Sequence, residues 1–238
     1  MARHLSTAYY VHLAVDLQSD DLSRLHARRG LVLPQAVNNL AASLKHAEIP
    51  TIWVAISGMC RMYSRFLTQP MHRNVDRSLT IQSLKLDAVS IDADDDIFVK
   101  DDCDAFYKSL LVTHLHRYYP KAATLILTGV NTTACVAASV AGALKAGFKC
   151  IVLTDCLADS EEERERRYYS KWHERQLRMN VIKNLCEIEG WSLSRVVNVI
   201  ERQLVCTHSK NLPNIIEMKP ASPRRTKPVH QYAALKAA

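Results

Sequence analysis

The sequence predicts an α/β protein, a three-layer α/β/α sandwich around a mainly parallel sheet. Three observations predict it. Apolar, β-rich runs alternate with helical patterns along most of the chain. Those runs are apolar at consecutive rather than alternate positions, as strands covered on both faces are. The 238 residues, 48% of them apolar, suffice for one large core.

In chain order, YYVHLAVDL (9–17) reads as the first strand, PQAVNNLAASLKHA (34–47) as a helix and TIWVAIS (51–57) as the second strand. After a longer segment come the strand DIFVK (96–100), the helical DAFYKSLLVTHLHRYY (104–119) and the strand TLILTGV (124–130). TACVAASVAGALKA (133–146) is a helix of small apolar residues, and KCIVLTDCL (149–157) a further strand. The stretch 161–188 reads as a long helix, acid-rich at its start and apolar along one face. No internal repeat is visible.

The net charge of +7 is unevenly spread. Residues 206–238 carry six lysines and arginines against Glu217 alone, together with four of the eight prolines. The chain therefore divides into a nearly neutral domain at 1–205 and a basic, proline-containing extension at 206–238. PRRTKP (223–228) is its densest part, which makes an acidic partner for the tail an open expectation and nucleic acid a weaker one. No run reaches the length of a membrane span and the N-terminus lacks a signal-like block, so a cytoplasmic protein is expected. Seven scattered cysteines in no CxxC pair suggest reduced thiols.

Several patterns read blandly. DADDD (92–96) spaces acids like a calcium loop, but Ile97 replaces the required glycine and Cys103 the final acid. His114 and His116, two apart on a helix, point in different directions and make a joint metal site improbable. No glycine-rich phosphate motif is present.

Ligand sites in open α/β sheets lie beyond the carboxyl ends of the strands. There the first strand ends in Asp16, a later one in Lys100, and TLILTGV leads into a helix whose first turn holds Cys135. The helix dipole and the Lys100 ammonium would favour a Cys135 thiolate, and Asp16 would serve as a base. The alternatives are a buried structural thiol and a purely structural Asp16–Lys100 pair.

The segment LILTGVNTTACVAASVAGALKAGFKCIVLTDCLAD (125–159) resembles the signature of the isochorismatase-like cysteine hydrolases, a Rossmann-like family that includes amidases. VDLQSD (15–20), DIFVKDDCDAF (96–106) and WHERQL (172–177) are similar to further family segments, in the family's order. The resemblance implies Cys135 as nucleophile, Asp16 as general base and acid, and Lys100 as third member of a triad. It implies a cis Val130–Asn131 peptide and an oxyanion hole from the backbone N–H groups of Asn131 and Cys135. Gln18, Phe106 and Thr132 are candidate substrate contacts. Arg61 and Arg65, in the segment that caps the family's pocket, are either a clamp for a substrate carboxylate or surface arginines. Trp53 is core or pocket lining.

The implied activity is hydrolysis of a C–N bond in a small amide or carbamoyl compound through a thioester, without a cofactor, in a homo-oligomer. Vinyl-ether hydrolysis and a catalytically retired scaffold binding a metabolite or partner are the alternatives. Ser19-Asp20-Asp21, Asp104 and Asn131 depart from the family's usual residues. Only His72 and Asp76 are available to the metal motif of the nicotinamidase branch, so no metal is expected.

Overall fold

In the computed structural model, residues 9–25, 27–56, 82, 84–107, 109–119, 122–159 and 169–217 are described. Arg61, Arg65, His72, Asp76, Cys60, the acid-rich start of the 161–188 stretch and the tail beyond Glu217 lie outside them.

The strands β1 (Tyr10–Val15), β2 (Thr51–Ile56), β3 (Asp96–Lys100), β4 (Thr124–Val130), β5 (Lys149–Ala158) and β6 (Leu204–Thr207) form one sheet in the order β3-β2-β1-β4-β5-β6. Every pairing is parallel. The helices are α1 (Ser19–Ser23), α2 (Ala27–His46), α3 (Leu111–Tyr118), α4 (Ala137–Lys145), α5 (Tyr169–Lys183), α6 (Leu193–Gln203) and α7 (Leu212–Glu217). Single π-helical turns, Thr132–Val136 and Asn184–Ile188, lead into α4 and extend α5.

The strands are apolar at consecutive positions because both faces are covered. On one face Val11, Leu13, Val15, Val54 and Phe98 pack with residues of α3, α4, α5 and α6; on the other Ala14, Trp53, Ala55, Ile126 and Ile151 pack with α1, α2 and α7. The expected three-layer sandwich is thus the observed one. His12, fully buried at the centre of β1, bridges Thr51 of β2 at 3.2 Å and Thr128 of β4 at 2.9 Å. Burial pushes its imidazole down to about 3, so it stays neutral and serves as a cross-strand tie.

Three expected boundaries move. The helix expected from residue 34 begins at Ala27, with Pro34 inside it. The helix expected from residue 104 begins at Leu111, because the Asp104 carboxylate accepts the Phe106 N–H at 2.8 Å and holds a turn. The division at residue 206 falls inside β6, and Leu212 just beyond it is buried in the core. Trp53 is core: it is fully buried and donates its indole N–H to Asp95 at 2.8 Å.

The strand order reverses between β1 and β4, and chains leaving the sheet there open a crevice at its carboxyl edge. Gly129 permits this. Its φ is +126°, and a Cβ on it would lie 1.9 Å from the Val15 carbonyl oxygen. Gly129→Ala should therefore lower stability by about 3 kcal/mol or more, because backbone cannot yield as a side-chain tip can. A urea midpoint close to wild type would contradict this account of the β1–β4 contact.

Candidate active site

β1 delivers Asp16 to the carboxyl edge in a left-handed conformation, φ +52°, its N–H donating to Val54 O at 2.8 Å. A non-glycine residue held there marks a place where local preference yields to the surroundings. Its carboxylate is buried and meets the Lys100 ammonium at 2.8 Å. Lys100 is the last residue of β3, two strands away, and its stem spans the end of β2.

Lys100 Nζ also donates to the Cys103 carbonyl at 2.9 Å. The Cys135 thiol lies against both Asp16 and Lys100, close enough to shift the ionisation of each. The three residues expected from sequence to converge therefore do so, with only 9% of Cys135 exposed.

Burial pushes the Asp16 carboxyl well above the ordinary carboxylate range, and proximity to Cys135 adds to this, while Lys100 opposes it. For Lys100 burial disfavours the charge, but Asp16 and Cys135 outweigh it and hold the ammonium more firmly than usual. Cys135 departs from expectation. Its hydrogen bond with the Cys103 thiol, followed by burial, pushes it upward, and the nearby Lys100 does not reverse this. The direction is opposite to the lowering that its position at a helix start suggested.

The turn before Cys135 is held from outside. The Val130–Asn131 peptide is cis, as expected. The N–H and hydroxyl of Thr133 both donate to the Asp159 carboxylate, each at 2.7 Å. Thr132, fully buried, donates to Ala158 O at 3.2 Å and pairs with His173 Nδ1 at 2.7 Å. Asp159 and His173 thus hold the turn before Cys135, although sequence reading gave them no role. The only signal was their presence in the quoted segments 125–159 and 172–177.

The other expected contacts divide. The Gln18 amide is spent on backbone: it donates to Ile56 O and Leu84 O at 3.0 and 2.8 Å and accepts from Ile56 N–H at 2.8 Å. Phe106 packs on Phe148 with ring centres 6.2 Å apart. Thr132 is engaged as described above. His114 pairs with Asp96 at 2.9 Å while His116 stacks on Phe148, so the two face different partners.

A cavity of about 360 Å³ lined by Asn38, Lys45, Thr51, Asp92, Asp95 and Tyr119 opens at the opposite, amino end of the sheet. Asp92 there pairs with Lys45 and Asp95 accepts from Trp53. It holds none of the three site residues.

A parallel sheet with this strand order, carrying its buried polar cluster beyond the carboxyl ends at the reversal, makes the protein Rossmann-like. The isochorismatase domain model matches residues 10–176, and the chain belongs to that family. No curated protein is significantly similar to it in sequence. Among solved structures it is similar to an isochorismatase-like hydrolase from Alkaliphilus metalliredigens, with 18% identity over 87% of this chain and 99% of that one and a TM-score of 0.57. It is also similar to a pyrazinamidase of Pyrococcus horikoshii in complex with zinc, with 17% identity, 84% and 99% coverage and a TM-score of 0.55. An N-carbamoylsarcosine amidase from Thermoplasma acidophilum shares 16% identity, with 85% and 97% coverage and a TM-score of 0.53. At such identities the likeness is one of fold. Among the described residues no helix is long and apolar enough to cross a membrane.

Asp104 yields a pH prediction. Burial pushes its carboxyl up to about 6, above the ordinary carboxylate range. A raised folded value means that stability is greatest below the unfolded value and is lost as pH rises through about 6. Asp104→Asn keeps an acceptor for the Phe106 N–H and removes this loss. The variant should gain stability over wild type as pH rises from 4 to 8, by on the order of 2 kcal/mol. Melting temperatures at the two pH values measure it; a constant offset would show that Asp104 does not ionise against its surroundings.

Proposed function

We propose that the protein is a cysteine-dependent hydrolase that cleaves the C–N bond of a small amide or carbamoyl compound through a thioester, with Cys135, Asp16 and Lys100 as its catalytic residues. The observation that carries the reading is the contact of the Cys135 thiol with a buried carboxylate whose proton affinity is raised. A thiol that holds its proton more firmly than usual needs a base at hand, and a carboxylate of raised proton affinity is also a competent acid later in the cycle.

In the first step Asp16 takes the Cys135 proton as the sulfur attacks the substrate carbonyl carbon. The backbone N–H groups of Asn131 and Cys135 receive the oxyanion, each worth on the order of 3 kcal/mol in the transition state. As the oxyanion collapses, Asp16 passes its proton to the departing nitrogen, and ammonia or an amine leaves a thioester on Cys135. Water then attacks the thioester with Asp16 again as base, the acid departs, and the thiol is restored. Lys100 holds the Asp16 carboxylate and the developing thiolate throughout.

The pyrazinamidase and the carbamoylsarcosine amidase act on C–N bonds by their names, which supports this choice over vinyl-ether hydrolysis. The latter chemistry needs no thiol. Arg61 and Arg65 remain candidates for holding a substrate carboxylate, which favours carbamoyl acids for the substrate panel.

Ammonia release across small amides, ureides and carbamoyl acids should identify a substrate. On it Cys135→Ala should abolish turnover, and Asp16→Asn should lower kcat by about a thousandfold. Intact mass spectrometry should trap an acyl group on Cys135 of the wild-type protein. Ammonia release persisting in Cys135→Ala would overturn the thioester route.

A further inference from the structure

Cys103 stands outside the chemistry just described, yet its thiol lies beside that of Cys135, close enough for each to shift the other's ionisation. The placement is built. The Cys103 carbonyl accepts from Lys100 Nζ at 2.9 Å and from the Ser139 hydroxyl at 3.4 Å, and Ser139 Oγ accepts the Ala105 N–H at 3.1 Å. Ser139 is one helical turn beyond Cys135, so the segment 103–105 is fastened to the very helix that carries Cys135. The two thiols differ in access: Cys103 is exposed and Cys135 buried.

We propose that Cys103 is a peroxide-reactive modification site whose oxidised sulfur is captured by Cys135, closing a reversible Cys103–Cys135 disulfide across the site. The steps balance with a hydroperoxide as oxidant. The Cys103 thiolate attacks one peroxide oxygen; an S–O bond forms, the O–O bond breaks, and the other oxygen leaves as water or an alcohol after taking a proton. The Cys135 sulfur then attacks the Cys103 sulfenic acid; the S–S bond forms, the S–O bond breaks, and the hydroxyl leaves with the Cys135 proton as water. Two electrons pass from the two thiols to the peroxide. A dithiol reverses the bond by exchange.

The local chemistry favours Cys103 as the first thiol attacked. Its hydrogen bond with Cys135 and the charge of Lys100 hold it down to about 7, so much of it is thiolate near neutrality, at an exposed position. Oxidation would then remove the nucleophile from use. That consequence rests on the proposed role of Cys135, whereas the disulfide itself does not.

The full chain, treated with hydrogen peroxide in the absence of any substrate, should lose the mass of two hydrogens and regain it with dithiothreitol. Peptide mapping should find Cys103 joined to Cys135. Cys103→Ser should abolish the joined peptide, and in Cys135→Ala the Cys103 sulfenic acid should persist and be labelled by dimedone. The proposal is overturned if the bond forms elsewhere, for instance between Cys150 and Cys206 on the adjacent strands β5 and β6, or if Cys103 takes no label in Cys135→Ala. Because none of these readouts involves turnover, they stand or fall apart from the hydrolase reading.

Discussion

The buried ion pair between Asp16 and Lys100 is the interaction on which the rest of the site depends. Their side chains are 2% and 1% exposed, and removing one partner of such a pair typically costs several kcal/mol because the other is left charged in a poor solvent. The pair therefore constrains its surroundings. An ammonium has three N–H donors, and those of Lys100 meet Asp16, the Cys103 carbonyl and Cys135. A guanidinium, with five donors in a planar fork, could not be satisfied by three acceptors arranged around one point. The ends of β1 and β3, the loop that follows β3 and the helix after β4 are thus bound to a single atom.

The upward shift of Cys135 has a different source from that pair. The neighbouring Cys103 thiol, followed by burial, raises it, and together they outweigh the lowering by Lys100 and Asp16. A helix start and a nearby lysine, read from sequence, leave out the Cys103 thiol and the depth of burial. The structure adds both, and the expected direction reverses.

Much of the framework was legible because it rests on local pattern. Both faces of the sheet are covered, so consecutive apolar residues marked β2 and β4, and turns placed Asp16, Lys100 and Cys135 at one edge. What was illegible rests on partners distant in sequence. Gln18 offered itself as a substrate contact, but its amide closes on Ile56 and Leu84. Asp159 and His173 are an acid after a strand and a histidine on a helix until Thr133 and Thr132 are seen beside them. The apolar rise at Leu204 was too short to announce an edge strand, and the basic residues beyond it pointed to an extension.

The composition of α4 follows from the same closeness. Its run of small residues looks like helix propensity alone, yet glycine weakens a helix interior by about 1 kcal/mol against alanine. Gly142 is there because the Asp104 carboxylate lies where its Cβ would be, 2.2 Å from the nearest oxygen. With Ser139 fastening Cys103 and Ala105 on the same helix, the loop after β3 lies directly against α4. Had α4 carried larger side chains, the loop would stand off, and the Cys103 carbonyl could not remain bound to Lys100 while Lys100 remained bound to Asp16. The helix gives up local stability so that one lysine can reach all of its acceptors.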